Sequence, residues 1–246
     1  MLESEGGAAG GHVLVLWDID LTLVRSGPAT LTAFDDALSA VAGKRLTEKI
    51  DFGGRTDLHI AREMLRAHGV LPTDDLITRL LDSFATAFEQ DEEARSAGYA
   101  LPGAREAVHA LAAPDIHQSI LTGNMARTAP LKLALLGDAA ALLRTDTGAY
   151  GDDHEDRNKL VPLARRRATA ATGHPYQGRR TVLIGDTVHD VEAALRNDAA
   201  VIAVASGRTS AETLTAAGAH TVLPDLTDTE LVVSAIRTLT REESAA

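Results

Sequence analysis

Residues His12 to Arg25 (HVLVLWDIDLTLVR) begin as a short apolar run rich in β-branched and aromatic side chains, which predicts a strand buried on both faces. The period then changes. From Ser26 to Lys44, Leu31, Phe34, Leu38 and Val41 recur at helical spacing, and Gly43 offers a stop. A Gly-rich turn, DFGGRTD at 51–57, comes next. Thr56 or Asp57 can cap the following helix, whose apolar face is Leu58, Ala61, Met64 and Leu65 and which Gly69 ends. Thr73 is the N-cap of a longer helix with acids in its first turn and a period of Leu76, Leu80, Phe84 and Phe88. Residues 26–96 therefore read as helices alone.

From Ala100 onward strands and helices alternate. LPGAREAVHALAA (101–113) is a turn and helix, and IHQSILTGN (116–124) is a strand ending in Thr122, Gly123 and Asn124. ARTAPLKLALLG (126–137) is a helix stopped by Gly137, with Lys132 assigned to its solvent face. A short apolar segment, Ala141 to Leu143, is a candidate further strand. The acidic GDDHEDR (151–157) leads into a helix containing Leu160, Leu163 and Ala164. TVLIGDTVHD (181–190) is a strand running into a turn and helix. AAVIAVASG is the next strand, SAETLTAAGA a helix, TVLPDL a short strand, and TDTELVVSAIRTLTREE a terminal helix. Alternation of this kind implies an α/β fold, a Rossmann-like parallel sheet with helices on both faces. The helical stretch interrupts it as an insert. The expected division is a core of residues 12–25 and 97–240, a helical domain of 26–96, and flexible termini at 1–11 and 241–246.

Composition narrows this picture. With 246 residues and 45% hydrophobic content, the chain can bury a sizeable core, and aromatics at 3% leave that core to Leu, Val, Ile and Ala. Without cysteine there is no disulfide, thiolate metal site or thiol nucleophile. No apolar run approaches the roughly 18 residues of a membrane span, and MLESEGGAAGG lacks the features of a signal peptide, so the cytoplasm is the expected location. A net charge of −11 argues against nucleic acid as a partner. It also means that a site for an anionic substrate must build its own positive potential from a metal ion, a few Lys or Arg side chains and backbone N–H groups.

The polar residues at the strand ends carry the candidate chemistry. Asp18 and Asp20 lie two apart on one strand and so point to the same side. Ligands of open parallel sheets bind at the carboxyl ends of strands. The strand ends here carry Asp18 and Asp20, then Thr122, then Asp186 and Asp190. If these strands are neighbours, four carboxylates and a hydroxyl meet at one edge. Such a cluster repels itself unless a divalent cation sits in it, and hard oxygen ligands favour Mg²⁺. Arg55, in the Gly-rich turn, can reach a substrate carboxylate or phosphate, since its fork suits both; the alternative is a solvated turn between helices. The DDHED run around His154 reads as a solvated acidic loop.

Taken in order, DIDLT at 18–22, SILTGN at 119–124, the basic residue of DRNKL at 156–160 and GDTVHD at 185–190 resemble the four motifs of the haloacid dehalogenase (HAD) superfamily. The resemblance spans roughly residues 12 to 225, and members similar to this chain include phosphoglycolate phosphatases and phosphoglucomutases with a helical cap of the first type. It implies a Mg²⁺-dependent phosphatase that acts on a small phosphorylated metabolite through an aspartyl-phosphate, as a monomer or homodimer. By the same resemblance Asp18 is the nucleophile and Asp20 the acid and then base. Thr122, with the backbone N–H groups of Gly123 and Asn124, holds the phosphoryl oxygens. Asp18, Asp186 and the carbonyl of Asp20 bind the metal, while Asp190 ligates it or orients the groups around it. The third motif departs from the common Lys followed by Pro-x-Pro. Arg157 stands where that Lys would, and is favoured over Lys159.

Three rivals share these residues. A haloalkanoate dehalogenase uses the first Asp but has no leaving alkoxide to protonate, so Asp20 speaks against it. A phosphomutase of the β-phosphoglucomutase kind would keep every residue. A phospho-Asp signalling protein would be about half this length and lack the helical insert.

Overall fold

The structure is a computed structural model, and it describes residues 11–241. The termini expected to be flexible lie outside the described residues, except Gly11 and Arg241 at their inner edges.

Strand β1 (Val13–Trp17) is buried at all five positions and leads through a tight turn to β2 (Val24–Arg25). Four helices follow, α1 (Ala29–Ala42), α2 (Asp57–Ala67), α3 (Asp74–Gln90) and α4 (Glu92–Ser96). Strand β3 (Tyr99–Ala100) then returns the chain to α5 (Ala104–Ala110), β4 (Ile116–Ile120), α6 (Ala129–Leu133) and α7 (Leu160–Thr172). The remainder alternates: β5 (Thr181–Gly185), α8 (Val188–Leu195), β6 (Ala200–Val204), α9 (Ala211–Ala216), β7 (Thr221–Leu223) and α10 (Thr229–Arg241). The five long strands form one parallel sheet in the order β4-β1-β5-β6-β7. The expected α/β architecture is therefore present, with β1 at an inner position between β4 and β5.

The alternation of β1 explains its burial. Val13, Val15 and Trp17 face one apolar cluster, which includes Ala107, Val108, Val232 and Ile236 of α5 and α10. Leu14 and Leu16 face the other, with Leu160, Ala164, Val191 and Leu214 of α7, α8 and α9. The helices α1–α3 keep an apolar cluster of their own, in which the rings of Phe34 and Phe84 stack at 3.9 Å. Chain passage between the sheet and these helices runs through β2 and β3, which pair antiparallel with Val24 opposite Ala100 and Arg25 opposite Tyr99. No helix among the described residues is long and apolar enough to cross a membrane.

Local punctuation agrees with the sequence at several points. Thr73 caps α3, accepting from the Leu76 N–H, and of the two candidates for α2 it is Thr56 that caps, accepting from the His59 N–H. Gly43 ends α1 with a φ of 63°, a left-handed value suited to glycine. Three expectations need correction. Leu31 is 54% exposed, because Ala29, Ala33 and Ala37 share the buried face of α1 with Phe34 and Leu38. Residues Ala141 to Leu143 form no strand: 3₁₀ turns run through Leu142, and the place beside β4 is taken by an isolated bridge between Leu121 and Ala149. Lys132 is buried, for reasons that belong to the site.

Candidate active site

The site begins where β1 ends. The Asp18 N–H still donates to the Ile184 carbonyl of β5, so Asp18 is fixed as part of the sheet. The chain then turns sharply: Leu21 adopts a φ of 60°, costly for a residue with a branched side chain. Two bonds hold it there. Its N–H donates to the Val24 carbonyl, and its own carbonyl accepts from the Ser206 hydroxyl at 2.6 Å. This turn sends Asp18 and Asp20 to different partners although both leave the same strand end.

Asp18 meets Asp186, from the end of β5, and Asp190, from the first turn of α8. Carboxylate oxygens of the three lie within 4.8 Å of one another, and all three residues are buried. Among the described residues one cation reaches them: Arg157 Nη2 donates to Asp18 Oδ1 at 3.0 Å and to Asp190 Oδ1 at 2.5 Å. A single guanidinium cannot neutralise three buried acids. Burial, with Asp190 and Asp20 nearby, pushes Asp18 up to about 7 in spite of Arg157. Burial together with Asp18 and Asp190 pushes Asp186 up to about 8. Burial works against the charge on Arg157, but Asp190 and Asp18 hold it firmly protonated.

This donor set suits a hard divalent cation. It is all carboxylate oxygen, short of positive charge, and closely spaced. Space is provided on the Asp186 side by Gly207, where a Cβ would collide with Asp186 Oδ2. Asp190 is the least free of the three. Its Oδ1 takes Arg157, and its Oδ2 takes both the N–H and the hydroxyl of Thr187 in a capping box at the start of α8.

Asp20 sits apart from that cluster and is only partly buried. Ser26 donates to its Oδ1 at 2.6 Å; Asn124 Nδ2 and Lys132 Nζ both donate to its Oδ2 at 2.7 Å. Burial would raise its pKa, but the charge and hydrogen bond of Lys132, with those of Ser26 and Asn124, hold the carboxyl below the usual range. The four carboxylates expected at one edge thus divide into a cluster of three, Asp18, Asp186 and Asp190, and Asp20 with its own partners.

Thr122 is fully buried just past β4, and Asn124 gives it two hydrogen bonds, from its N–H at 3.3 Å and from Nδ2 at 2.8 Å. A hydroxyl has two lone pairs, so with both used its proton is left to donate outward. Gly123 lies against the carbonyl of Arg55, where a Cβ would collide. That close approach is stitched by Asp57, the first residue of α2. Its N–H donates to the Gly123 carbonyl at 2.7 Å, and its Oδ2 accepts from the Met125 N–H at 3.0 Å. Asp57 is 4% exposed, and burial pushes it up to about 7, although Lys132 and the Met125 N–H act the other way.

Of the two candidates for the third motif, Arg157 is buried in the cluster, whereas Lys159, at the other end of the same 3₁₀ turn, is exposed. Arg55 lines a cavity of about 420 Å³ with His59, His154, Glu155, Arg157 and His189. Its Nη1 lies 3.1 Å from His59 Nε2. The acidic loop around His154 is largely exposed and, among the described residues, forms no metal-ligating group.

Sequence reasoning missed Lys132 and the bridging role of Asp57. Lys132 is 3% exposed, and its ammonium donates to Asn124 Oδ1 at 2.6 Å besides Asp20. A signal was present. Lys132 follows Ala129 by three residues and precedes Leu136 by four, and both are buried, so it stands on the apolar side of its own segment.

A family model described as haloacid dehalogenase-like hydrolase matches residues 15–195. Similar solved structures include a hydrolase from Pseudomonas syringae, with 25% identity, a TM-score of 0.67, and coverage of 91% of this chain and 98% of that one. A predicted phosphatase from Clostridium acetobutylicum has 18% identity and a TM-score of 0.69, covering 91% and 99%. A predicted phosphoglycolate phosphatase from Haemophilus somnus has 17% identity and a TM-score of 0.66, covering 92% and 100%. No curated protein matches the chain.

Proposed function

The chain belongs to the haloacid dehalogenase-like hydrolase family, and from that premise we propose that it is a Mg²⁺-dependent phosphatase acting on a small phosphorylated metabolite through an aspartyl-phosphate. The observation that carries this reading is the separation of the two acids of the first motif. Asp18 lies with Arg157 and the acid cluster, and Asp20 lies with Ser26, Asn124 and Lys132. A dehalogenase would need only the first.

Asp18 attacks phosphorus: a bond forms from its carboxylate oxygen while the bond to the leaving oxygen breaks. The leaving oxygen takes a proton from Asp20, which must gain that proton as the substrate binds, since Lys132, Ser26 and Asn124 hold its carboxyl below the usual range in the free site. Water then attacks the phosphorus of the aspartyl-phosphate, gives its proton to Asp20 and releases phosphate, which restores Asp18. Thr122, with its free O–H proton, and the Gly123 N–H grip the phosphoryl oxygens. Arg157 offsets charge on Asp18, and its Nε is a buried donor with no partner among the described residues. Such a donor costs about 1–3 kcal/mol until an anionic oxygen meets it. Asp18, Asp186 and the Asp20 carbonyl would hold Mg²⁺, with Asp190 orienting Arg157. When bound, the ion would draw charge from the phosphoryl oxygens and keep the clustered acids ionised.

Residues 26–96 serve in this reading as a cap over the site. Supporting it are the separate apolar cluster of α1–α3 and the Arg55–Asp57 segment lying against Gly123. Arg55 is the candidate for a second anionic group of the substrate. The test is a phosphate-release screen over phosphorylated metabolites with Mg²⁺, beside an Asp18→Asn control. Release from at least one ester, lost in Asp18→Asn, is expected. No turnover of any ester, or full activity in the control, would sink the proposal.

A further inference from the structure

Among the described residues, the buried charges are Asp18, Asp57, Lys132, Arg157, Asp186 and Asp190. The mechanism above gives Lys132 no task, yet a buried ammonium is costly to keep. Its surroundings are specific. It donates to Asp20 Oδ2 at 2.7 Å and to Asn124 Oδ1 at 2.6 Å, and lies 5.8 Å from the centre of the Phe88 ring on α3.

We propose that Lys132 is a positioning residue: it fixes the proton carrier Asp20 directly and the phosphate-gripping Thr122 through Asn124. This rests on the phosphatase reading of the site. The argument is one of donors and acceptors. A lysine ammonium has donors only, so the oxygen of the Asn124 amide must face it. The Asn124 Nδ2 is then turned the other way, where it donates both to Asp20 Oδ2 and to Thr122 Oγ1. With the Thr122 lone pairs taken up by Asn124, its proton points to the substrate side. Lys132 thus sets the orientation of an amide that in turn orients the two groups flanking the reacting phosphorus. Asp20 needs this help, because its side chain is 38% exposed and would otherwise be free to rotate into water. Ser26 would remain to hold it, with an Asn124 amide that no ammonium keeps in orientation.

A lysine that only stabilised the fold would, when replaced, slow all substrates alike. A lysine that aims the proton carrier would slow most the substrates whose leaving group most needs a proton. The experiment is therefore a leaving-group series: kcat/KM, which reads through departure of the leaving group and not the later hydrolysis, with Mg²⁺ on phenyl, 4-nitrophenyl and 2,4-dinitrophenyl phosphate. The proteins are wild type, Lys132→Met, Lys132→Arg, Asp20→Asn and the Lys132→Met/Asp20→Asn double variant. Proton delivery typically contributes ~10²–10⁴-fold. Lys132→Met should lose on the order of 10²-fold on phenyl phosphate but less than about tenfold on the dinitrophenyl ester. Its dependence on leaving-group acidity should approach that of Asp20→Asn, and the double variant should be no steeper than Asp20→Asn alone. Lys132→Arg, which keeps the charge, should return the dependence part of the way. Should methionine not fold, as judged by thermal melting, Lys132→Gln carries the same comparison. A uniform loss across the three esters in a folded variant overturns the role of Lys132 while leaving the phosphatase reading intact. Absence of phosphate release from all three esters in wild type overturns that reading, and this one with it.

Discussion

Asp57→Asn should make the protein more stable, and by an amount that grows with pH. Asp57 is 4% exposed and its carboxyl is pushed from 3.8 up to about 7, chiefly by burial. A folded-state pKa above the unfolded value means that the folded chain prefers the protonated acid. The stability this contributes is complete below the unfolded pKa of 3.8 and is lost as pH rises through about 7. Each unit is worth about 1.36 kcal/mol, so the full loss is ~4 kcal/mol, of which roughly 1.6 is already spent at pH 5. Asparagine cannot ionise but can still accept from the Met125 N–H. The variant's advantage over wild type should therefore widen by ~2–3 kcal/mol between pH 5 and pH 8, a difference of several degrees in Tm for a chain of this size. Urea denaturation of both proteins at half-unit pH steps reads this directly, since every other titrating group is common to the pair. Parallel stability curves from pH 5 to pH 8 would show that Asp57 is ionised at no cost, and the assignment of burial as the dominant effect would be wrong.

The cation-binding side of the site gives a second test. Mg²⁺ should raise the melting midpoint of wild type, as any ligand selective for the folded state does, whereas Gly207→Ala, whose Cβ would collide with Asp186 Oδ2, should respond weakly or not at all; an unchanged response would remove Gly207 from the cradle. Arg157→Met strips the partner from Asp18 and Asp190 and should cost ~3–5 kcal/mol in denaturant unfolding, the range for breaking a buried ion pair; a cost under about 1 kcal/mol would mean the pair is solvated. Gly123→Ala should force apart the Arg55 carbonyl and the loop after β4, seen as a raised inhibition constant for inorganic phosphate. Unaltered phosphate inhibition would show that the loop yields without consequence.

Much of this site could be read from the chain because β1, β4 and β5 are apolar runs that end abruptly in polar residues, and parallel pairing lines those ends up. Asp18, Thr122, Asp186 and Asp190 stand at that edge of the sheet, and Arg157, which the resemblance and not the strand pattern picked out, reaches Asp18 and Asp190 there. What pattern could not supply was the partner of each acid. Asp18 and Asp20 are alike in sequence, and it is the left-handed Leu21 turn, held by Ser206 just past the end of β6, that sends them apart. Lys132 reads as solvent-facing because a lysine amid leucines usually reaches out of a helix; here Asp20 and Asn124 wait at the buried end. Asp57 reads in the sequence as one of two candidate helix caps, a local role, while its oxygen serves a backbone N–H on Met125, far away in sequence. The strand expected at Ala141 to Leu143 failed for the opposite reason. Its leucines are apolar enough for a sheet, but Leu121 had already found Ala149.

The narrow passage at β2 and β3 bears on how the chain finds its fold. β1 is made first, but its partners come late, since Val13 pairs with Ile116 and Leu14 with Thr181. Closing so long a loop is an entropic burden that grows with the logarithm of its length. The helices α1–α3 contact one another locally and can form on their own cluster. Once they have, Val24 and Ala100 stand side by side, and the stretch between β1 and β4 behaves as a far shorter loop. A fourfold shortening is worth ~1.2 kcal/mol toward the first strand pairing. The helices between β2 and β3 would thus act as a splint during assembly, keeping the first strand in reach of the four strands that follow it in the chain.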